Sequence, residues 1–279
     1  MTVLVVGASG RMGSKIVAEL LAMGADVRVT YRTEKPAGID AVQADLADPE
    51  SLARACDGVD VIVSAVQGMR DVIVAGQVRL LRAAEQTGVK RILPSDYAID
   101  FFKTEAGKNR NLDLRREFNE ELDRSKKIRG TSILCGAFMD LIAQRRIGPD
   151  PKTGVYRVWG DPDQPYDFTA TDDVAKYIAA AALDDEAPRM LRVAGDTKSP
   201  REIAEILGGT IEVAGTVADL EQAIDRMRQD DPAPTNPFPV WQQMQYTRDM
   251  ASGRGVLTPL DNARYPQIHP KTIRQLLSR

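Results

Sequence analysis

Only one histidine, His269, occurs in the 279 residues, close to Pro266 and Pro270 near the C-terminal end. Chemistry that needs two or more imidazoles is excluded, and a His-based triad would have to be built around this single residue. Its position reads as surface or C-terminal packing. Cysteine is almost as scarce: Cys56 and Cys135 stand alone, with no Cys-x-x-Cys pair and no Cys/His cluster. That speaks against a disulfide framework and against a structural zinc, and no metal site is expected. No uninterrupted apolar run reaches membrane-spanning length. The formal net charge of -3 offers no general attraction to nucleic acid or to an anionic membrane surface. Neither a basic leader nor a small-residue cleavage site precedes the first apolar run, so a cytoplasmic protein is expected.

What is present is ordinary globular chemistry, 43% hydrophobic and 28% charged residues, enough for one large domain or a domain with an appended lobe. Short apolar runs alternate with longer amphipathic segments. Thr2–Ala8, Asp26–Tyr31, Ala41–Gln43, Asp60–Val66, Arg91–Pro94 and Thr131–Cys135 read as strands. Arg11–Met23, with Ile16, Leu20 and Leu21 on one face, reads as a helix, as do Asp48–Cys56, Val72–Thr87, Leu112–Arg124 and Asp172–Leu183. Such alternation predicts a doubly wound α/β fold with helices on both faces of a parallel sheet. After about Gly148 the rhythm changes. The spacing predicts a dinucleotide-binding domain over 1–148 and a smaller lobe over 149–279, some of whose segments complete the sheet. The proline-rich stretch from Asp230 to Pro239, the cluster Trp241, Met244 and Tyr246, and the break at Gly253–Gly255 suggest a mobile cover over the ligand.

The motif that carries chemistry stands at the start. Val3-Leu4-Val5-Val6 leads into Gly7-Ala8-Ser9-Gly10-Arg11-Met12-Gly13, a strand, a glycine-rich turn and a helix start. The first glycine permits the tight turn, the second lets a pyrophosphate approach the backbone, and the third allows close helix–strand packing. The phosphates then face unpaired N–H groups and the positive end of the helix dipole. Gly7, Ser9, Gly10, Arg11, Met12 and Gly13 are therefore candidate cofactor contacts. About twenty residues on, where an NAD site usually holds a carboxylate for the ribose hydroxyl, stands Arg32, which suits a 2′-phosphate. NADP is thus expected over NAD, with Arg11 as a second candidate for the same phosphate. Asp45 and Leu46 after the third strand fit the adenine. Ala65, Val66 and Gln67, at the end of the fourth, fit the nicotinamide half.

These segments, with Ile92-Leu93-Pro94-Ser95-Asp96-Tyr97, Cys135-Gly136-Ala137-Phe138, Thr169–Lys176 and Tyr265-Pro266, carry a resemblance over nearly the whole chain. It resembles the NmrA-like, or isoflavone-reductase-like, branch of the atypical short-chain dehydrogenase/reductases. The Pro-Ser-acid-aromatic segment is the more specific sign and adds Pro94 and Ser95 to the expected cofactor contacts. The resemblance implies a Rossmann domain, NADP(H), a small substrate lobe, and reduction of aromatic natural products or related small molecules. Other members of the family bind the dinucleotide without turnover, as redox-sensing regulators with protein partners.

One departure matters. The family's enzymes carry a lysine on the helix after the Pro-Ser segment, and matching Phe118 and Leu122 to that helix places Arg115 there. Arginine is not a proton donor or base near neutral pH, yet it can orient a hydroxyl or stabilise a developing oxyanion. The ordinary Tyr-x-x-x-Lys pair is missing too. Tyr97 and Lys103 remain as a candidate pair that a loop would have to bring together. The leading expectation is an NADPH-dependent reductase of a small organic molecule, with Arg115, Tyr97 and Lys103 as catalytic candidates. The alternative is a dinucleotide-binding regulator without turnover.

Overall fold

Val3 and Val5 point to one side of the first strand and Leu4 and Val6 to the other, and all four are buried. That two-sided burial is what a central parallel strand requires. The computed structural model describes residues 1–232 and 234–278, and β1 (Thr2–Val6) lies in the middle of its main sheet. α1 (Arg11–Ala22), β2 (Asp26–Tyr31), β3 (Asp40–Gln43), α2 (Pro49–Cys56) and β4 (Val61–Ser64) follow. A π-helical turn, Asp71–Gly76, runs into α3 (Gln77–Thr87), then come β5 (Arg91–Leu93), α4 (Arg110–Arg124) and β6 (Arg129–Gly130). The six strands pair in parallel in the order β3-β2-β1-β4-β5-β6. This is the dinucleotide-binding order, whose direction of winding reverses between β1 and β4 and opens a crevice at their carboxyl ends.

Local sequence explains several elements. Asp48 opens α2 by accepting the Glu50 N–H, with Pro49 in the first turn, as an Asp-Pro helix start should. α1 buries Gly13, Ile16 and Leu20. Leu21, expected on that face, is 51% exposed, because it sits about 100° round the helix from Leu20. The expected single helix over 72–87 is two: the π-helical turn and then α3.

Beyond β6 the chain continues with β7 (Ser132–Leu134), β8 (Ala137–Phe138), α5 (Asp140–Ala143), β9 (Val155–Trp159), β10 (Tyr166–Thr169) and α6 (Thr171–Leu183). Then come β11 (Met190–Arg192), β12 (Asp196–Lys198), α7 (Pro200–Ile206), β13 (Thr210–Gly215), α8 (Val217–Asp230), α9 (Val240–Ala251) and α10 (Ile273–Leu277). β7 pairs with β11, β10 stands between β8 and β12, and β9 pairs with β13. α6 packs on α1 and buries nearly its whole length in the core beneath β1, β2 and β4. Residues on either side of position 149 thus share that core. The stretch from 230 to 255 is not one loop: α8 runs to Asp230 and α9 occupies Val240–Ala251. Among the described residues of this stretch, those between the two helices and the turn at 252–255 are irregular.

Candidate functional site

At the crevice, β1 ends at Val6 and Gly7 takes a φ of 83°. The Gly10 N–H closes the turn on the Gly7 carbonyl at 3.0 Å. A Cβ at Gly13 would stand 2.1 Å from the Gly7 oxygen, and one at Gly7 would stand 2.9 Å from the Ala65 oxygen. Both glycines are therefore demanded by packing. Gly10 differs: it is exposed, its backbone is extended, and a Cβ would meet only the Gly7 oxygen at 3.2 Å. α1 has no side-chain cap and no acidic residue in its first turn. Its leading N–H groups and dipole thus offer an anion site beside Gly10. Ser9 and Arg11 are exposed there, while Met12 packs partly into the core.

Arg32 directly follows β2 and is exposed. Its carbonyl accepts from Gln43 Nε2 at 2.9 Å. A hollow of about 490 Å³ opens between Arg32, Gln43, Asp45 and Arg54, and Arg11 does not line it. Asp45 shapes the entry to α2, accepting the Ala47 N–H at 2.7 Å while its own N–H donates to Ser51 Oγ. Leu46 packs beneath Gly76, where a Cβ would come within 3.0 Å of it.

On the other side of the crevice, the segment Pro94–Tyr97 holds the end of β4. Ser95 Oγ donates to the Val66 carbonyl at 2.7 Å, and Tyr97 Oη donates to the Ser64 carbonyl at 2.8 Å. The Ser95 N–H donates in turn to Gln77 Oε1 at 3.2 Å, and its carbonyl accepts Arg115 Nε at 3.1 Å. Ala65 is tied to Val6, Gln67 is exposed, and Pro94 is buried. Asp96 is fully buried and accepts from Asn119 Nδ2 and Ser132 Oγ. Burial raises its carboxyl above the usual carboxylate range. Burial, with the Asp96 charge adding to it, also pushes the Tyr97 phenol well above its ordinary value. The Tyr97 proton therefore stays in place as a donor to the chain.

Arg115 lies on the half-buried face of α4. Its Nε bonds Ser95 and its Nη1 bonds the Asn111 carbonyl at 2.9 Å, so Nη2 is left without a hydrogen bond among the described residues. Lys103 points elsewhere, donating to the carbonyls of Val256 and Thr258 at 3.1 and 2.8 Å. Tyr97 and Lys103 share no hydrogen bond among the described residues, so the expected pair is not formed; their loop braces two separate segments.

The expected cover is built on α9. Gln242 donates to Asn109, Asn109 to Asp249, and the Arg110 N–H to Gln245, which fixes α9 against the start of α4. Trp241 is buried, with the Arg110 guanidinium carbon 4.7 Å from its ring centre, and its role is packing. Tyr246 stays half-buried next to Asn111 and Arg115. Sequence reading missed Gln77, Asn111 and Arg54. The first two act through bonds to residues far along the chain or to a helix backbone, and nothing in their spacing announces them. Among the described residues no cluster of three His, Cys, Asp or Glu side chains could hold a metal. Nor is any helix among them long and apolar enough to cross a membrane.

Known proteins share the sequence pattern and the fold of this chain. The NmrA-like family matches residues 1–263. The probable pinoresinol-lariciresinol reductase 3 of Arabidopsis thaliana is 29% identical over 261 residues, covering 84% of this chain and 81% of that protein. Among solved structures, the binary complex of leucoanthocyanidin reductase with NADPH from Vitis vinifera superposes with a TM-score of 0.81 at 20% identity, over 99% of this chain and 98% of that one. AtPrR2 with NADP+ and (+)pinoresinol gives a TM-score of 0.79 at 22% identity, over 99% and 97%. These two likenesses establish the shared fold.

Proposed function

The chain belongs to the NmrA-like family, and from that premise we propose that it is an NADPH-dependent reductase of a small organic molecule. The observation that carries the reading is the uncapped start of α1, set beside an open Gly10 at the point where the sheet reverses its winding. The residues fit the dinucleotide: backbone N–H groups at Ser9, Arg11 and Met12 for the pyrophosphate, with Gly10 leaving room for its approach, and Arg32 for the 2′-phosphate. Asp45 and Leu46 would meet the adenine. Ala65, Val66, Gln67, Pro94 and Ser95 would wall the nicotinamide end. When bound, NADPH supplies a hydride.

The chain's own groups then divide the remaining work. Arg115, whose Nη2 has no hydrogen bond among the described residues, stabilises negative charge that develops on the substrate. Tyr97 and Ser95 hold the end of β4 in place, and Lys103 steadies the segment at 256–258, so all three act as positioning residues. Residues 1–148 carry the dinucleotide site and 149–279 the substrate lobe, with α6 and β11 lent back to the core. A cytoplasmic location is in keeping with the two free cysteines, Cys56 and Cys135.

The Arabidopsis thaliana relative is named a probable pinoresinol-lariciresinol reductase, which makes pinoresinol the first probe. Calorimetric titration with NADPH and NADH, followed by oxidation of NADPH in the presence of pinoresinol and a panel of aromatic carbonyl compounds, tests the proposal. Tight NADPH binding with turnover supports it. Tight binding without turnover favours a dinucleotide sensor, a reading that Arg115 in place of a lysine encourages, and failure to bind either dinucleotide refutes both.

A further inference from the structure

We propose that Arg54, from the last turn of α2, joins Arg32 in a two-guanidinium grip on the 2′-phosphate of NADP(H), and so sets the preference for the phosphorylated cofactor. The inference rests on the NADPH reading given above. Arg32 and Arg54 line one hollow of about 490 Å³ at the carboxyl ends of β2 and β3. Both are exposed, and neither guanidinium makes a hydrogen bond or an ion pair among the described residues. Many of their fellow arginines are committed: Arg28, Arg116, Arg189, Arg192 and Arg264 each hold a carboxylate.

Three features direct the pair at an outside anion. Helical side chains slant toward the helix N-terminus, so Arg54 reaches back along α2 toward Asp48 and the strand ends. Its charge is felt there. The Asp48 carboxyl is held below the usual carboxylate range by the backbone N–H groups of Ser51 and Glu50, and Arg54 adds to the effect. The two carboxylates that share the hollow are already engaged, Asp45 with the Ala47 N–H and Asp48 with the Glu50 N–H. Finally, the helix cannot slide away from the strand. Arg28, within β2, donates through Nη1 to the Asp57 carbonyl at 2.6 Å and the Ala55 carbonyl at 3.4 Å, and through Nε to Asp40 at 2.7 Å. The backbone just after Arg54 is thereby tied to the strand that Arg32 follows.

The chemistry explains why a second cation is useful. A phosphate monoester carries nearly two negative charges at neutral pH and three acceptor oxygens, more than one forked guanidinium can satisfy. The ribose hydroxyl of NADH offers no such charge. Arg54 therefore contributes to one cofactor and not to the other.

The test is equilibrium binding, with no turnover required. NADPH, NADH, adenosine 2′,5′-bisphosphate and adenosine 5′-diphosphate are titrated into the unmodified protein and into the R54A, R54K, R32A and R32A/R54A variants. Each variant's fold is checked by circular dichroism and melting temperature. R54A should weaken NADPH and the 2′,5′-bisphosphate on the order of tenfold and leave NADH and the 5′-diphosphate unchanged. R54K should fall between, because lysine keeps the charge and loses the fork. The double variant should bind NADPH no better than NADH. NADPH binding that is indifferent to Arg54 in a folded protein overturns this proposal alone, as does an equal loss for NADH. An unmodified protein that binds neither dinucleotide overturns the cofactor reading as well.

Discussion

Valine at Gly10 and alanine at Gly13 would add side chains three residues apart in one turn, with different expected consequences. At Gly10 the backbone is extended, with a φ of -73°, a conformation valine adopts without strain, and its Cβ meets only the Gly7 oxygen at 3.2 Å. The fold should survive. The added methyl groups, however, stand over the first N–H groups of α1, where the pyrophosphate would lie. Losing that close approach should weaken NADPH by more than tenfold, about 1.4 kcal/mol or more. At Gly13 the new Cβ would sit 2.1 Å from the Gly7 oxygen and 2.8 Å from the Gly7 carbonyl carbon and the Ala8 Cα. All three are backbone atoms, so the start of α1 must back away from the turn. Overpacking of this kind costs about 1–3 kcal/mol, or about 2–4 °C of melting temperature per kcal/mol for a chain of 150–250 residues. Calorimetry with NADPH and thermal unfolding without it separate the two effects. Unchanged NADPH affinity in a folded Gly10→Val protein would refute the phosphate site. An undiminished melting temperature for Gly13→Ala would refute the packing argument.

Other outcomes follow from the same geometry. Arg32→Ala should cost NADPH roughly tenfold or more and NADH little; equal losses, or tighter NADH binding in the unmodified protein, would reverse the cofactor preference. With a turned-over substrate in hand, Arg115→Ala should slow single-turnover NADPH oxidation by about a hundredfold, the loss of one electrostatic donor, and Arg115→Lys should preserve or raise it. A robust rate indifferent to Arg115→Ala would remove this residue from the reacting centre. Tyr97→Phe leaves the Ser64 carbonyl without its donor and should cost about 0.5–1.5 kcal/mol in denaturant unfolding. The pH profile of turnover should keep its shape, because the phenol is held protonated; a lost titration limb would show that Tyr97 does pass a proton.

The turn at Gly7–Gly13 and the sheet beside it were readable because their signals are local. An apolar strand, three glycines and a helix start lie within a dozen residues, and the alternation that follows leaves one plausible winding. The position of Arg32 just after β2 was readable for the same reason, from its distance to the glycines. Its neighbour Arg54 was not, since the convergence depends on how α2 lies against β2, which is set by Arg28 reaching to carbonyls near residue 56. The bond from Tyr97 to the Ser64 carbonyl was hidden because the two residues lie 33 positions apart. α9 was hidden by the prolines that precede it and by its polar inner face of Gln242, Gln245, Arg248 and Asp249, which a search for apolar periodicity passes over.

The burial of α6 against α1 gives the molecule a particular thermodynamic character. Because a helix from the later chain fills the core under β1, β2 and β4, the dinucleotide half cannot melt while the other half stays folded. The two should unfold in one cooperative transition. A dinucleotide bound only through early residues would then stabilise the entire chain by RT ln(1 + [L]/Kd), about 2.7 kcal/mol at a hundredfold excess over Kd. Occupancy near residue 10 would be felt as slower opening of α10, more than 260 residues downstream, with no change of shape anywhere between.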